Sequence, residues 1–234
     1  IGLKTNGTLW AWGFNSSGQI GDGTIVNKSS PIQIGTLTNW NKISAFNSHV
    51  LATKNDNSLW AWGKGSNGRL GDSTSTTKSS PVQIGTLTDW MLISAGSDHS
   101  AAIKTNGTLW IWGTGGVGAI GNSSTVSRSS PVQIGTLTDW AFVHAGEEKT
   151  TAIKTNGTLW AWGLNNSGEF MDGTATNKSS PVQIGTATNW SQVASGTAAI
   201  IALKNDSSVY GSGDFTGTSC LLYPYFLPTN IASS

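Results

Sequence analysis

Residues 99–113 read HSAAIKTNGTLWIWG. His99 to Lys104 is an apolar stretch, Thr105-Asn106-Gly107 is a tight turn, and Thr108 to Gly113 is a second extended run. Asn-Gly between two apolar runs is a strong hairpin signal, because both residues tolerate positive φ. The same turn recurs at Asn6-Gly7 and Asn156-Gly157, with Asp56-Asn57 and Asp206-Ser207 as variants. After each of the first four turns comes a Trp-x-Trp pair. Trp10 and Trp12, two apart on a strand, share one face and leave Ala11 on the other.

Outward from that hairpin the chain repeats. Its twelve Trp residues are Trp10, Trp12 and Trp40, then Trp60, Trp62 and Trp90, then Trp110, Trp112 and Trp140, then Trp160, Trp162 and Trp190. Pro31, Pro81, Pro131 and Pro181 keep the same step of 50. A fixed period of 20 to 50 residues marks a solenoid, an array or a propeller. Each unit offers four short strands: a (TLWAWG), b (PVQIG), c (from Trp40 and its equivalents) and d (the run before the turn). Pro at the start of b loses no needed N–H, and no window carries a helical period or cap. Four strands per 45 to 50 residues is one propeller blade. The expectation is one all-β propeller domain over residues 1–234, with units 8–57, 58–107, 108–157 and 158–207 and a divergent unit 208–234. The strand within residues 1–7 is expected to close the last blade, which would draw its b strand from 221–227 and its c strand from 230–233. Five blades result; the competing reading is a fragment of a seven-bladed ring. All twelve Trp residues are expected to form the inter-blade core, since stacked blades need large flat side chains between them.

Composition narrows the function. Of 234 residues 11% are charged, and the net charge is +1, which gives no basic field for nucleic acid. No apolar run reaches the length of a membrane span. The single Cys220 excludes an intramolecular disulfide framework and a Cys-based zinc site. The chain opens with Ile1 rather than Met, so a leader or an upstream region is expected to be missing from it. Of the three His residues, His49 and His99 occupy equivalent loop positions one unit apart and His144 sits alone on a c strand, so they do not converge as a triad or metal cluster would. Asp22, Asp72 and Asp172 share a repeat position with Asn122, in turns where Asp bonds its own backbone. They lack the loop of six to eight oxygens that calcium requires. The expectation is no enzyme, no cofactor and no metal.

The phrases LWAWGFNSSGQIGDGT (9–24), KSSPVQIG and ISAGSDHSAAIKTNGTLWIWG resemble the regulator-of-chromosome-condensation repeat family (alpha-tubulin-suppressor-like) over residues 1 to about 214. The resemblance implies a β-propeller, seven-bladed in most members, in which the His after Ala-Gly is structural. Nucleotide exchange on a small nuclear GTPase, the family's best-known activity, is not expected, because no wedge-like insertion is found here. A secreted β-lactamase-inhibiting relative shows that one loop face of the fold can block an enzyme.

Comparing the units places function on one face. The d–a and b–c turns are nearly constant, whereas the a–b and c–d loops, which share the opposite face, vary. Rigid scaffolds carry function on loops. The candidate binding residues are Phe14, Asn15, Gln19, His49, Lys64, Arg69, Asp98, His99, Val117, Glu147, Glu148, Lys149, Leu164 and Glu169. The expected role is structural or recognition work on another protein or a surface glycan, with neighbouring subunits of a larger assembly as further partners, and with no nucleic acid or membrane insertion. Low charge and Ser/Thr/Asn/Gly richness suggest an extracellular, cell-surface or virion setting (adhesion, receptor binding or decoration). A lectin using the Trp ring and an enzyme-inhibiting module are the alternatives. The apolar stretch Cys220 to Leu227 is expected to seal the last blade or to dock a neighbour.

Overall fold

The hairpin turn fixes the local geometry. In the computed structural model, which describes residues 1–214 and 225–230, Gly7 N–H donates to Lys4 O and Lys4 N–H to Thr8 O. Only Gly7 takes positive φ, at 76°. This is a tight turn followed by one left-handed residue, rather than two. Asn57 and Ser207 take the left-handed place at φ 58° and 67°. Asn6 Oδ1 accepts from both Thr8 N–H and Thr8 Oγ1, and Thr8 Oγ1 in turn accepts from Trp10 Nε1 at 3.0 Å. The turn thereby aims the first indole of each pair.

Nineteen strands among the described residues form five antiparallel sheets. The first contains β1 (Gly2–Leu3), β2 (Leu9–Gly13) and β3 (Lys28–Gln33). The second contains β4 (Trp40–Phe46), β5 (His49–Lys54), β6 (Leu59–Gly63) and β7 (Lys78–Gln83). The third runs β8 (Trp90–Ala95), β9 (His99–Lys104), β10 (Leu109–Gly113), β11 (Arg128–Gln133), and the fourth β12 (Trp140–Ala145), β13 (Lys149–Lys154), β14 (Leu159–Gly163), β15 (Lys178–Gln183). The fifth is β16 (Trp190–Ser195), β17 (Ala199–Lys204), β18 (Val209–Gly213) and β19 (Tyr225–Asn230).

The order within a sheet is therefore c-d-a-b, and c strands of consecutive sheets pack together, β4 on β8, β8 on β12 and β12 on β16. The all-β fold and the count of five stand. The seam differs from the expected one. β1 does not join the last sheet: it pairs with β2, Gly2 opposite Trp10 and Leu3 opposite Leu9. The fifth sheet already has four strands, its b strand being Tyr225–Asn230, with Tyr210 opposite Asn230. Among the described residues the first sheet has three strands, none of them a c strand. The tight turn at Asn6-Gly7 sets β1 beside β2, and the last sheet is completed by Tyr225–Asn230 instead. The proposed c strand at 230–233 and most of the segment 220–227 lie outside the described residues.

The core is divided among four junctions. Between the second and third sheets, Leu51, Leu59, Ala61, Leu70 and Ile84 meet Trp90, Ile93, Ala95, Ala102 and Trp112. The other three junctions have the same arrangement. Trp90 meets Trp110 edge to face, centroids 6.0 Å apart at 79°, and the contact recurs between Trp40 and Trp60 and between Trp140 and Trp160. On the constant face a buried Lys lies over each such pair: Lys54 Nζ stands 3.5 Å from the Trp60 ring centroid and 5.1 Å from that of Trp40.

Candidate functional site: the a–b/c–d loop face

The a–b loops are built to cap the next sheet. Asn15 is fully buried; its Nδ2 donates to Thr24 O and Val26 O, and its Oδ1 accepts from Ile20 N–H. Asn165 repeats these bonds. In the units between them the position is Gly65 or Gly115. Each of these glycines approaches the far side of its own loop so closely that a Cβ would strike backbone, Thr76 O at 2.0 Å and Val126 O at 2.7 Å. The loop so shaped points one carbonyl at the neighbouring sheet. Gln19 O accepts from Trp62 Nε1 at 3.0 Å, Arg69 O from Trp112 Nε1 at 2.9 Å, and Ala119 O from Trp162 Nε1 at 2.9 Å. Two residues on, Gly21, Gly71 and Gly121 lie against the same indoles, at φ between 82° and 88°.

The histidines belong to this scaffold. Ser100 Oγ donates to Arg69 O, so it must accept from His49 Nε2–H, 2.9 Å away. Thr150 Oγ1 donates to Ala119 O and accepts from His99 Nε2–H at 2.9 Å. Both rings are buried and neutral. Desolvation holds His49 down to about 3, aided by Arg69 and His99, and His99 down to about 4 against the pull of Asp98. His144 Nδ1 accepts from Ser195 N–H at 3.2 Å, the bond that Ser44 Oγ and Ser94 Oγ make to Ala95 and Ala145 N–H. Burial lowers its pKa as well.

The face varies because each junction is plugged differently. At the second, Arg69 reaches across to Ser97 O at 2.8 Å and pairs with Asp98. At the fourth, Lys149 pairs with Glu169 at 3.1 Å, both side chains fully buried, and donates to Gly196 O and Thr197 O. The third has Ala119 and a cavity of only about 30 Å³ beside Val117, Glu147 and Glu148. At the first, Gln19 turns back to accept from Ser17 N–H at 2.9 Å and leaves a cleft of about 290 Å³. Phe14 and Phe46 stand at its edge, 66% and 42% exposed, with Ile20, Asn47, His49 and Val50 in its lining.

Of the fourteen candidate residues, Asn15, His49, Arg69, His99, Lys149 and Glu169 are buried. Arg69, Lys149 and Glu169 are junction plugs, Asn15 shapes its own loop, and His49 and His99 belong to the scaffold. Phe14, Lys64 and Glu148 are exposed, and Gln19, Asp98, Val117, Glu147 and Leu164 are half-buried on the same face. The structure adds Phe46, which its place in a variable loop could have signalled.

The expectation that all twelve Trp residues form the core needs correction. Trp62, Trp112 and Trp162 are fully buried, and Trp40, Trp90, Trp140 and Trp190 nearly so. Trp10, Trp60, Trp110 and Trp160 are only half-buried. The reason is the turn that precedes each of them. Trp160 Nε1 donates to Thr158 Oγ1 at 2.9 Å, a bond within its own hairpin, so the ring stays at the constant-face end of the junction under Lys154. Trp10, Trp60 and Trp110 are held in the same way. Trp12 departs furthest, at 48% exposed. Trp62, Trp112 and Trp162 are each capped by a carbonyl of the preceding sheet.

Solved structures share this arrangement. Human WBSCR16 superposes with a TM-score of 0.83 at 18% identity, over 95% of this chain and 60% of that one. Yeast RCC1 (Prp20), solved bound to Kap60, gives 0.81 at 20% identity over 99% and 59%, and another structure of Prp20p from Saccharomyces cerevisiae gives 0.80 at 17% over 97% and 60%. The chain thus spans about 60% of the length of these structures. No curated protein sequence matches it. The profile of the Regulator of chromosome condensation (RCC1) repeat matches residues 6–53, 56–103 and 106–153, with a second profile of that repeat over 92–119. With more than half of its residues matched in three successive copies, the chain belongs to the regulator of chromosome condensation repeat family.

Proposed function

We propose that this chain is a non-enzymatic recognition module that binds another protein through its a–b/c–d loop face, centred on the cleft at the first junction. The observation that carries this reading is the pair Phe14 and Phe46, two exposed aromatic side chains flanking the one junction whose plug is withdrawn. Aromatic residues beside a partly desolvated pocket are the usual anchors of protein interfaces. Asp98, Glu147, Glu148 and Lys64 on the same face provide a charged rim for orientation. The similar propeller Prp20p has binding properties to Gsp1p and histones, and yeast RCC1 was solved bound to Kap60, so related propellers do engage proteins. The absence of catalysis is part of the reading. Its support is that His49 and His99 are buried and neutral and that all three histidines are hydrogen-bonded to the sheet after their own. The lectin alternative has less support, because Trp62, Trp112 and Trp162 are withdrawn between sheets and the half-buried Trp60, Trp110 and Trp160 each have a Lys over the ring.

A photo-cross-linking amino acid at position 14, with the same group at Thr5 on the constant face as control, tests the reading in extract from the source cell. A discrete protein adduct from position 14, absent at position 5 and lost with Phe46→Ser, is the expected result. Equal adducts from both faces, or adducts indifferent to Phe46→Ser, would overturn it.

A further inference from the structure

The b strands are outermost, since each sheet runs c-d-a-b and the c strands pack together. Beside them, in three of the units, an Asp locks the second half of the a–b loop. Asp22, Asp72 and Asp172 accept at Oδ1 from the N–H and the Oγ1 of Thr24, Thr74 and Thr174. Their Oδ2 atoms pair with Lys28, Lys78 and Lys178 at 2.9, 3.4 and 2.9 Å. In the third unit these positions are Asn122, Ser124 and Arg128, and Asn122 Oδ1 is buried without a partner. The released lock coincides with the larger of two equivalent clefts. On its b-strand side the third junction has a cleft of about 500 Å³, against about 280 Å³ at the second.

The lining of the larger cleft contains no charged residue, whereas that of the smaller includes Asp72. Buried Ile134, half-buried Trp160 and exposed Leu137 make it largely apolar. Trp140 also lines it, nearly fully buried, and its Nε1–H has no partner. Trp90 at the second junction has the same orphaned donor, but the acceptor beside it, Asp72, is engaged by Thr74 and Lys78. The third cleft therefore combines an unpaired donor and an unpaired acceptor in a neutral, apolar setting. Unpaired buried groups are costly, and a ligand that brings both a carbonyl and an N–H recovers that cost. An amide brings both. We propose that this cleft binds an uncharged peptide segment of a partner protein. One aliphatic side chain of the segment packs on Ile134, Leu137 and Trp160, and its adjoining backbone amide pairs with Trp140 Nε1–H and Asn122 Oδ1. The Asn122 amide, tied to neither a Thr nor a Lys, turns to meet it. Pro181 in the lining lies within the b strand β15 and has no N–H, which disfavours a partner strand added to that edge. The site is separate from the cleft at the first junction, so neither reading depends on the other.

The test is an NMR titration of the full chain with N-acetyl-leucinamide, an uncharged probe with one aliphatic side chain and two amides, read at the indole N–H resonances. The expected result is a saturable shift at Trp140 and Trp160, with Trp90 and Trp110 unmoved. The triple variant Asn122→Asp, Ser124→Thr, Arg128→Lys gives the third unit the lock of the second, and it should lose the response. Unchanged resonances of the other indoles show that the variant is folded. No shift at Trp140, equal shifts at Trp90 and Trp140, or a response that survives the triple variant would each overturn the proposal. So would a shift produced by methyl β-glucoside and not by the amide, which would make the cleft a sugar site.

Discussion

Single residues in this protein are held by the neighbouring unit, and the three histidines show the consequence. His49 and His99 each donate through Nε2–H to a hydroxyl whose own proton is committed to a carbonyl. A second proton would go to Nδ1, and for His49 that atom is buried with no partner. The folded pKa values of about 3 and 4 lie below the ordinary 6.5. Between those limits the unfolded chain binds more protons than the folded one. The stability the neutral rings contribute is therefore complete above about pH 6.5 and is lost as pH falls toward 4. A thermal melting series from pH 7.5 to 4.5 should show a decline that begins near 6.5. His144→Ser, which installs the residue found at 44 and 94, should change Tm little at pH 7.5 and flatten the acid side of the curve. Asp22 adds nothing in that window. Burial raises its pKa, but the bonds from Lys28 and Thr24 outweigh this and bring it to about 2, so its contribution is lost only below the usual carboxylate range.

Between sheets the unit of construction is an indole laid on a glycine. A Cβ at Gly71 would lie 2.7 Å from Trp112 Nε1, and one at Gly21 2.6 Å from Trp62 Nε1. The fourth junction exchanges both partners at once. Ser212 stands for the indole and Met171, at φ 52°, for the glycine, while Ser212 Oγ still donates to Glu169 O at 2.6 Å. Met171 packs against the core of this junction, and a flexible thioether is suited to filling a space of irregular shape. Ser212→Trp alone should overpack this junction and cost about 1–3 kcal/mol. With Met171→Gly added, the pair becomes the standard one, and the double variant should be more stable than the two single changes predict. Chemical denaturation of the four proteins measures the coupling, expected at about 0.5–3 kcal/mol. Additive changes would show that Met171 does not fill the indole's place.

At the scale of the whole molecule the repeat makes stability a sum over neighbours. Side chains of identical sequence then differ in value by position along the arc. Trp112→Ala empties the centre of a junction and should cost about 3–5 kcal/mol. Trp12→Ala removes an indole with no sheet over it and should cost well under that, within about 1 kcal/mol. Urea melts of the two variants make the comparison. Equal losses would mean that Trp12 is covered in solution.

The fold was legible because its causes are local and repeated. Asn-Gly turns, Trp-x-Trp alternation and a 50-residue period each specify strands without reference to anything distant, and their agreement gave both the architecture and the number of sheets. The candidate face was legible for the same reason, as the face on which the loops vary. Which of its residues touch solvent was not. Arg69 and Lys149 have the composition of surface loops, and only the neighbouring sheet decides that they are plugs. Arg69 and Lys149 have hydrogen-bond partners 28 and 48 residues away in sequence, Ser97 O and Thr197 O. The seam shows the same division. Strand order within each hairpin follows from the turn that closes it, so β1 belongs with β2. Exposure depends on what packs beside a strand: Trp12 is 48% exposed and Trp62, in an identical LWAWG run, is at 0%, a difference that the linear period, which treats every unit alike, does not specify.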